Sequence, residues 1–231
     1  YSGAGMSEPV EAIVSTPEWR WRLAGWPTRG AQVSRPPVVH AAPTATAAPL
    51  ALTLISRSGH LDSSGRFHVV ALLRNENPVD LVNLSVRVNL LSEDNEVRRA
   101  IATEPYARSV PAGAVVPLHV VADGIEPANF SIVAGGISGI APALPLAVEA
   151  SSGSEASDGF YYVEGRVRNT GDSRLDFPRV AIVLIDDSDR SVNAEVILPV
   201  PSQIEPNGTA TFRVRFAYFP RVRSHQIYVL P

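Results

Sequence analysis

From residue 52 onward, apolar and polar residues alternate in short runs broken by Gly, Pro, Asn and Asp. That is the pattern of β-strands with one buried and one wet face. In the run 67–73, Phe67, Val69, Ala71 and Leu73 fall on one side, because side chains two apart share a face. Val86, Val88 and Leu90 repeat the pattern, as do Phe212, Val214 and Phe216 between Thr211, Arg213 and Arg215. No long 3.6-residue period competes, so this part of the chain is predicted to be all-β. Phe67, Val69, Leu73 and Leu118 are expected in one core, and Tyr161, Val163, Val167, Phe212, Val214 and Phe216 in another.

The pattern occurs twice. Arg74-Asn75 returns as Arg168-Asn169, and Val86, Val88 and Leu90 return as Val180, Ile182 and Leu184, each 94 positions on. Leu52 and Leu54 map onto Leu146 and Val148, and Pro111-Ala112-Gly113 returns as Pro206-Asn207-Gly208. Self-similarity at a fixed period marks a duplicated unit. The glycines of 134–145, followed by Pro142 and Pro145, read as the hinge between copies. The expected fold is therefore two tandem immunoglobulin-like β-sandwich domains, 51–134 and 145–231, each of about seven strands. Units of this size bury enough apolar surface to fold without a staple.

Residues 1–50 differ. Pro9, Pro17, Pro27, Pro36, Pro37, Pro43 and Pro49 interrupt them, and 41–49 is of low complexity, so this stretch reads as an extended Pro/Ala-rich arm. All three tryptophans lie here, in Trp19-Arg20-Trp21-Arg22 and at Trp26. Trp and Arg are the residues most enriched in interface hot spots. Val10, Ala12 and Val14 have the spacing of a strand that could add to a sheet edge. Two other readings stand beside these: the arm packs back on the chain's own domains, or residues 15–18 cap a short helix.

A comparison of the copies exposes two further surfaces. Val70 and Leu72, outward-facing in the first copy, correspond to Glu164 and Arg166 in the second; Ala181, Val183 and Ile185 replace Arg87, Asn89 and Leu91. Such apolar stripes suit docking between domains, arms or neighbouring subunits.

Charge and chemistry narrow the function. A formal net charge of -3, with all 20 basic residues Arg, lacks the basic footprint of a nucleic-acid binder. The absence of Cys removes disulfides and thiolate chemistry. No stretch of about 18 apolar residues is present to span a membrane. The chain starts at Tyr1, as if a leader had been removed, and an extracytoplasmic location is expected. His40, His60, His68, His119 and His225 are scattered without metal-ligand spacing and are read as surface or strand-edge residues. Asp186-Asp187-Ser188-Asp189 could offer oxygens to calcium together with Asn193, but its place between two strands favours a turn. No Gly-x-Ser-x-Gly elbow occurs. Asn83, Asn129 and Asn207 open glycosylation tripeptides. No catalytic, cofactor-binding or metal-ligating residue is assigned, and the protein is expected not to be an enzyme.

The second copy resembles the FxLYD family of bacterial and archaeal domains. Tyr161-Tyr162-Val163-Glu164-Gly165-Arg166-Val167-Arg168-Asn169 stands at the family's opening strand, Ile182-Val183-Leu184-Ile185-Asp186 at its name motif, and Pro206-Asn207-Gly208 at its Pro-Gly turn. Leu184 and Asp186 match that motif; the Phe and Tyr are replaced. The first copy, with Val88-Asn89-Leu90-Leu91-Ser92 there, joins through the internal repeat. The resemblance implies an extracytoplasmic accessory or adhesive module without active-site residues. The resulting expectation is an exported, non-catalytic structural subunit, part of an oligomer, whose arm and apolar β-surfaces dock on neighbouring protein subunits in a surface filament or other assembly. An accessory subunit of a membrane complex, and a small-ligand or carbohydrate-binding module, are the alternatives.

Overall fold

The computed structural model describes residues 49–217 and 221–231, and every regular element among them is a strand. The first eight are β1 (Leu50–Ala51), β2 (Thr53–Leu61), β3 (Phe67–Arg74), β4 (Leu81–Leu91), β5 (Val97–Thr103), β6 (Ser109–Val110), β7 (Val115–Ala122) and β8 (Asn129–Ser138). The next eight are β9 (Leu146–Glu155), β10 (Tyr161–Asn169), β11 (Leu175–Asp176), β12 (Arg179–Asp186), β13 (Ser191–Ile197), β14 (Gln203–Ile204), β15 (Thr209–Phe216) and β16 (Val222–Leu230).

In the first set, β2-β3-β7 form one antiparallel sheet and β1-β8-β4-β5 another, with β6 on β4. The second set repeats the order: β9-β10-β15 in one sheet, β13-β12-β16 in the other, and β11 paired with β14. Each set has its own core. Phe67, Val69, Leu73 and Leu118 are buried with Val86, Val88, Leu90 and Phe130. Tyr161, Val163, Val167, Phe212, Val214 and Phe216 are buried with Ile182 and Leu184. The alternation therefore assigned the inward faces correctly.

One boundary moves. The expected hinge at 134–145 begins too early, because β8 continues through Gly135 and Gly136 to Ser138. Leu50 and Ala51 pair with these glycines, and the Leu50 carbonyl oxygen passes 2.7 Å from where a Gly135 Cβ would stand. These glycines admit a close strand rather than loosen a linker.

Three features recur at the same offset. Asn75 and Asn169 are fully buried. Asn75 Nδ2 donates to the Val79 and Val110 carbonyls and its Oδ1 accepts from the Asn77 amide. Asn169 does the same with Ser173, Ile204 and Gly171. Each side chain thus ties the end of its strand to a turn and to a distant loop. Removing one leaves buried carbonyls without a donor, at about 1–3 kcal/mol per orphaned group. Asn169→Ala, and separately Asn75→Ala, should each lower stability by about 2–3 kcal/mol in denaturant unfolding; a loss under 0.5 kcal/mol would show that the bonds are replaced by water.

The second feature is a glycine notch: a Cβ on Gly59 would meet the Phe67 and Phe130 rings at 2.7 and 2.6 Å, and one on Gly153 would meet Tyr161 and His225 at 2.7 and 2.9 Å. The third is the hairpin turn. The loops after β2, β4, β9 and β12 each place a left-handed residue, Gly65, Asn95, Gly159 or Asp189, fourth in a five-residue closure. This is the type I turn plus left-handed residue of three-residue hairpin loops.

Candidate functional site

The chemistry concentrates where the first repeat meets the second. On β3 the inward residues fill the core, so His68, Val70 and Leu72 face outward together. They are nonetheless buried. Val70 and Leu72 form one buried cluster with Val183, Ile185 and Ala194, flanked by Tyr106, Val115 and Tyr228. The two apolar stripes recognised in the sequence therefore cover each other. Of the docking modes expected for Val70, Leu72, Val183 and Ile185, that between domains is the one found, in place of a surface left open to neighbouring subunits: each stripe supplies the apolar area that removes the other from water.

Polar bonds frame this cluster. The Ser191 amide donates to Ser56 Oγ at 2.9 Å, and Ser58 Oγ donates to the Ser191 carbonyl. The Ala194 carbonyl accepts twice, from Tyr106 Oη at 3.0 Å and from His119 Nδ1 at 2.8 Å. Burial and the neighbouring Glu195 push the Tyr106 hydroxyl well above its ordinary pKa, so it remains a donor. Tyr106→Phe removes one of the two donors to Ala194 and should cost about 1 kcal/mol. Thermal unfolding measures it; an unchanged melting temperature would place Tyr106 outside the energetics of the interface.

His119 continues into a chain of contacts. His68 Nδ1 lies 2.9 Å from His119 Nε2, and His68 Nε2 lies 3.1 Å from Asp62 Oδ2. His60 stacks on His68 with centroids 5.2 Å apart. Asp62 accepts from the Arg66 and Ser64 amides and from the Arg66 guanidinium, which holds its carboxyl well below the usual range against the opposing effect of burial. Three histidines read as scattered surface or strand-edge residues thus converge. Their convergence comes from strand pairing, with His60 opposite His68 and Val70 opposite His119. One signal was available: alternation puts His68 on the same face as Val70 and Leu72. His225 sits apart, within 2.9 Å of Ser151 Oγ, and His40 lies outside the described residues.

The acidic run adopts the turn. Asp186 Oδ1 accepts from the Ser188 and Arg190 amides and Oδ2 from the Arg190 guanidinium, so its oxygens are occupied by the hairpin itself. Among the described residues no group of three or more His, Asp or Glu is placed to hold a metal, and no helix is long and apolar enough to cross a membrane.

The faces equivalent to the buried stripes are charged. Where the first repeat has Val70 and Leu72, the second exposes Glu164 and Arg166. Glu149 bridges Arg166 and Arg168 at 2.7 and 2.8 Å, and Arg213 stacks over Tyr162. Where the second repeat buries Ala181 and Val183, the first carries exposed Arg87 and half-buried Asn89. Neither open face repeats the apolar set that meets inside the chain. The partner-binding candidates of the arm, Val10, Ala12, Val14, Trp19, Arg20, Trp21, Arg22 and Trp26, lie outside the described residues.

No family model and no curated protein matches the chain. Among solved structures it is similar to red sea bream transglutaminase, at 14% identity over 77% of this chain and 29% of that one, with a TM-score of 0.25. The chain spans less than a third of that protein's length, and a likeness of this size carries no argument about fold or activity.

Proposed function

We propose that this chain is a non-catalytic, exported assembly subunit: two tandem immunoglobulin-like, FxLYD-like domains packed against each other, with the N-terminal arm as the element that docks on neighbouring subunits. The observation carrying this reading is the mutual burial of the two apolar stripes. The two stripes are covered within the chain, and the Trp/Arg block at 19–26 concentrates the residue types most enriched in interface hot spots. The polar groups brought together at the interface support the same reading. Asp62, His68 and His119 are engaged with one another and with backbone, an arrangement that holds structure rather than a substrate.

Electron microscopy of the native material tests the proposal. The expected image is a filament or other assembly in which one contact between copies of this chain recurs. A single copy among different chains would replace the polymer with the accessory-subunit role, and a strictly monomeric particle would contradict both.

A further inference from the structure

The first repeat holds strand β13 of the second with six residues. Ser56 and Ser58 bond to the Ser191 backbone, Val70 and Leu72 pack with Ala194, and Tyr106 and His119 donate to the Ala194 carbonyl. Advanced by the repeat offset of 94, these six become Ala150, Ser152, Glu164, Arg166, Val200 and Arg213. All six line one groove of about 930 Å³, to which β9, β10 and β15 contribute. The backbone repeats with them: the Tyr106 amide donates to the Pro117 carbonyl, and the Val200 amide to the Thr211 carbonyl. The second repeat thus carries the counterpart of the seat that holds a strand in the first, and Val200, the counterpart of Tyr106, is 71% exposed there.

We propose, resting on the docking role given to the arm above, that this groove receives the arm of a neighbouring copy, with Ala12-Ile13-Val14 lying where β13 lies in the first repeat. Three observations select this occupant. On β13, Ala194 lies against Val70 and Leu72 and Val196 shares its face, and the arm repeats that Ala-x-Val spacing at Ala12 and Val14. One wall of the groove is apolar and exposed, because Leu198 and Val200 stand where the first repeat has Glu104 and Tyr106, and such a wall suits two apolar side chains. Charge agrees as well. Residues 1–19 contain Glu8, Glu11 and Glu18 and no Arg. On the groove's side, Arg166 and Arg168 share the single carboxylate of Glu149 at 2.7 and 2.8 Å, and Arg213 stands 4.0 Å from Glu164. A glutamate of the arm supplies the carboxylate that this set of guanidinium groups lacks.

Reach and symmetry fit the same arrangement. The stretch from Ala12 to Pro49 spans about 120 Å when extended, at about 3.3 Å per residue, enough to cross to a neighbour. Each chain then offers one arm and one groove, a head-to-tail contact that propagates wherever its rotation does not close into a ring.

The chain contains no Cys, so single introduced cysteines report the contact without background. Full-length Val14→Cys and Val200→Cys chains, one of them tagged, are mixed and treated with a short bismaleimide. Val133→Cys, on the first repeat, replaces V200C as the control; Val133 and Val200 are both exposed, so neither change disturbs a core. The expected product is a mixed V14C–V200C dimer with little V14C–V133C dimer. Adding Arg213→Glu to the V200C chain should lower the yield about tenfold, because like charges across a contact repel. No mixed dimer with V200C, an equal yield with V133C, or a yield unmoved by R213E overturns the proposal. Sedimentation of the unmodified chain reads assembly separately: a chain that assembles but fails these cross-links keeps the docking arm and loses this groove, and one that neither assembles nor cross-links loses both.

Discussion

Replacing Val183 by Asp should separate the two repeats. Val183 is fully buried among Val70, Leu72, Ile185 and Ala194, so a carboxylate there meets apolar side chains in place of water. Leaving an uncompensated charge in such a site costs about 3–5 kcal/mol. Because the strand's inward residues Ile182 and Leu184 are untouched, the core of the second repeat should persist and the loss should fall on the interface. The equivalent position in the first repeat supplies the control. Asn89 is only half-buried and its amide donates to Ser131 Oγ, so Asn89→Asp should change stability by at most about 1 kcal/mol, the worth of that bond. Denaturant unfolding of both variants tests this, and equal effects would contradict the different burial of two equivalent positions.

Phe212→Ala should cost about 3–5 kcal/mol, the range for deleting a buried aromatic ring. Phe212 lies in the second core, paired with Gly165, and its ring stands 2.5 Å from where a Gly165 Cβ would be. The ring fills the space the glycine leaves, so truncation opens a cavity that the neighbouring strand has no side chain to close. A loss below about 1 kcal/mol would mean that Phe212 faces water and that the strand register is shifted by one residue.

These two sites also show how far the sequence could be read. Phe212 was legible because a half-buried strand repeats every two residues and because the second copy echoes the first at a constant offset. Val70 and Val183 were legible as outward-facing and apolar, but a period of two names a side and not what covers it; that the stripes meet is a property of the interface between repeats. The histidine chain was hidden for a related reason. His68 and His119 are 51 residues apart and come together only through the β3–β7 pairing. Gly135 and Gly136 misled in the opposite direction, since glycine placed to admit a neighbouring strand is indistinguishable in sequence from glycine in a linker. Asn75 and Asn169 were noticed as repeat markers, but their bonding role depends on loops 35 residues away.

Deleting residues 1–45 tests the central claim most directly, because it removes the proposed docking element and leaves every described strand in place. Size-exclusion chromatography of the full and shortened chains, with thermal melts of both, separates the possibilities. The proposed role predicts that the shortened chain runs as a folded monomer with a nearly unchanged melting temperature while the full chain assembles. Normal assembly without the arm would contradict it, as would a shortened chain that melts well below the full one.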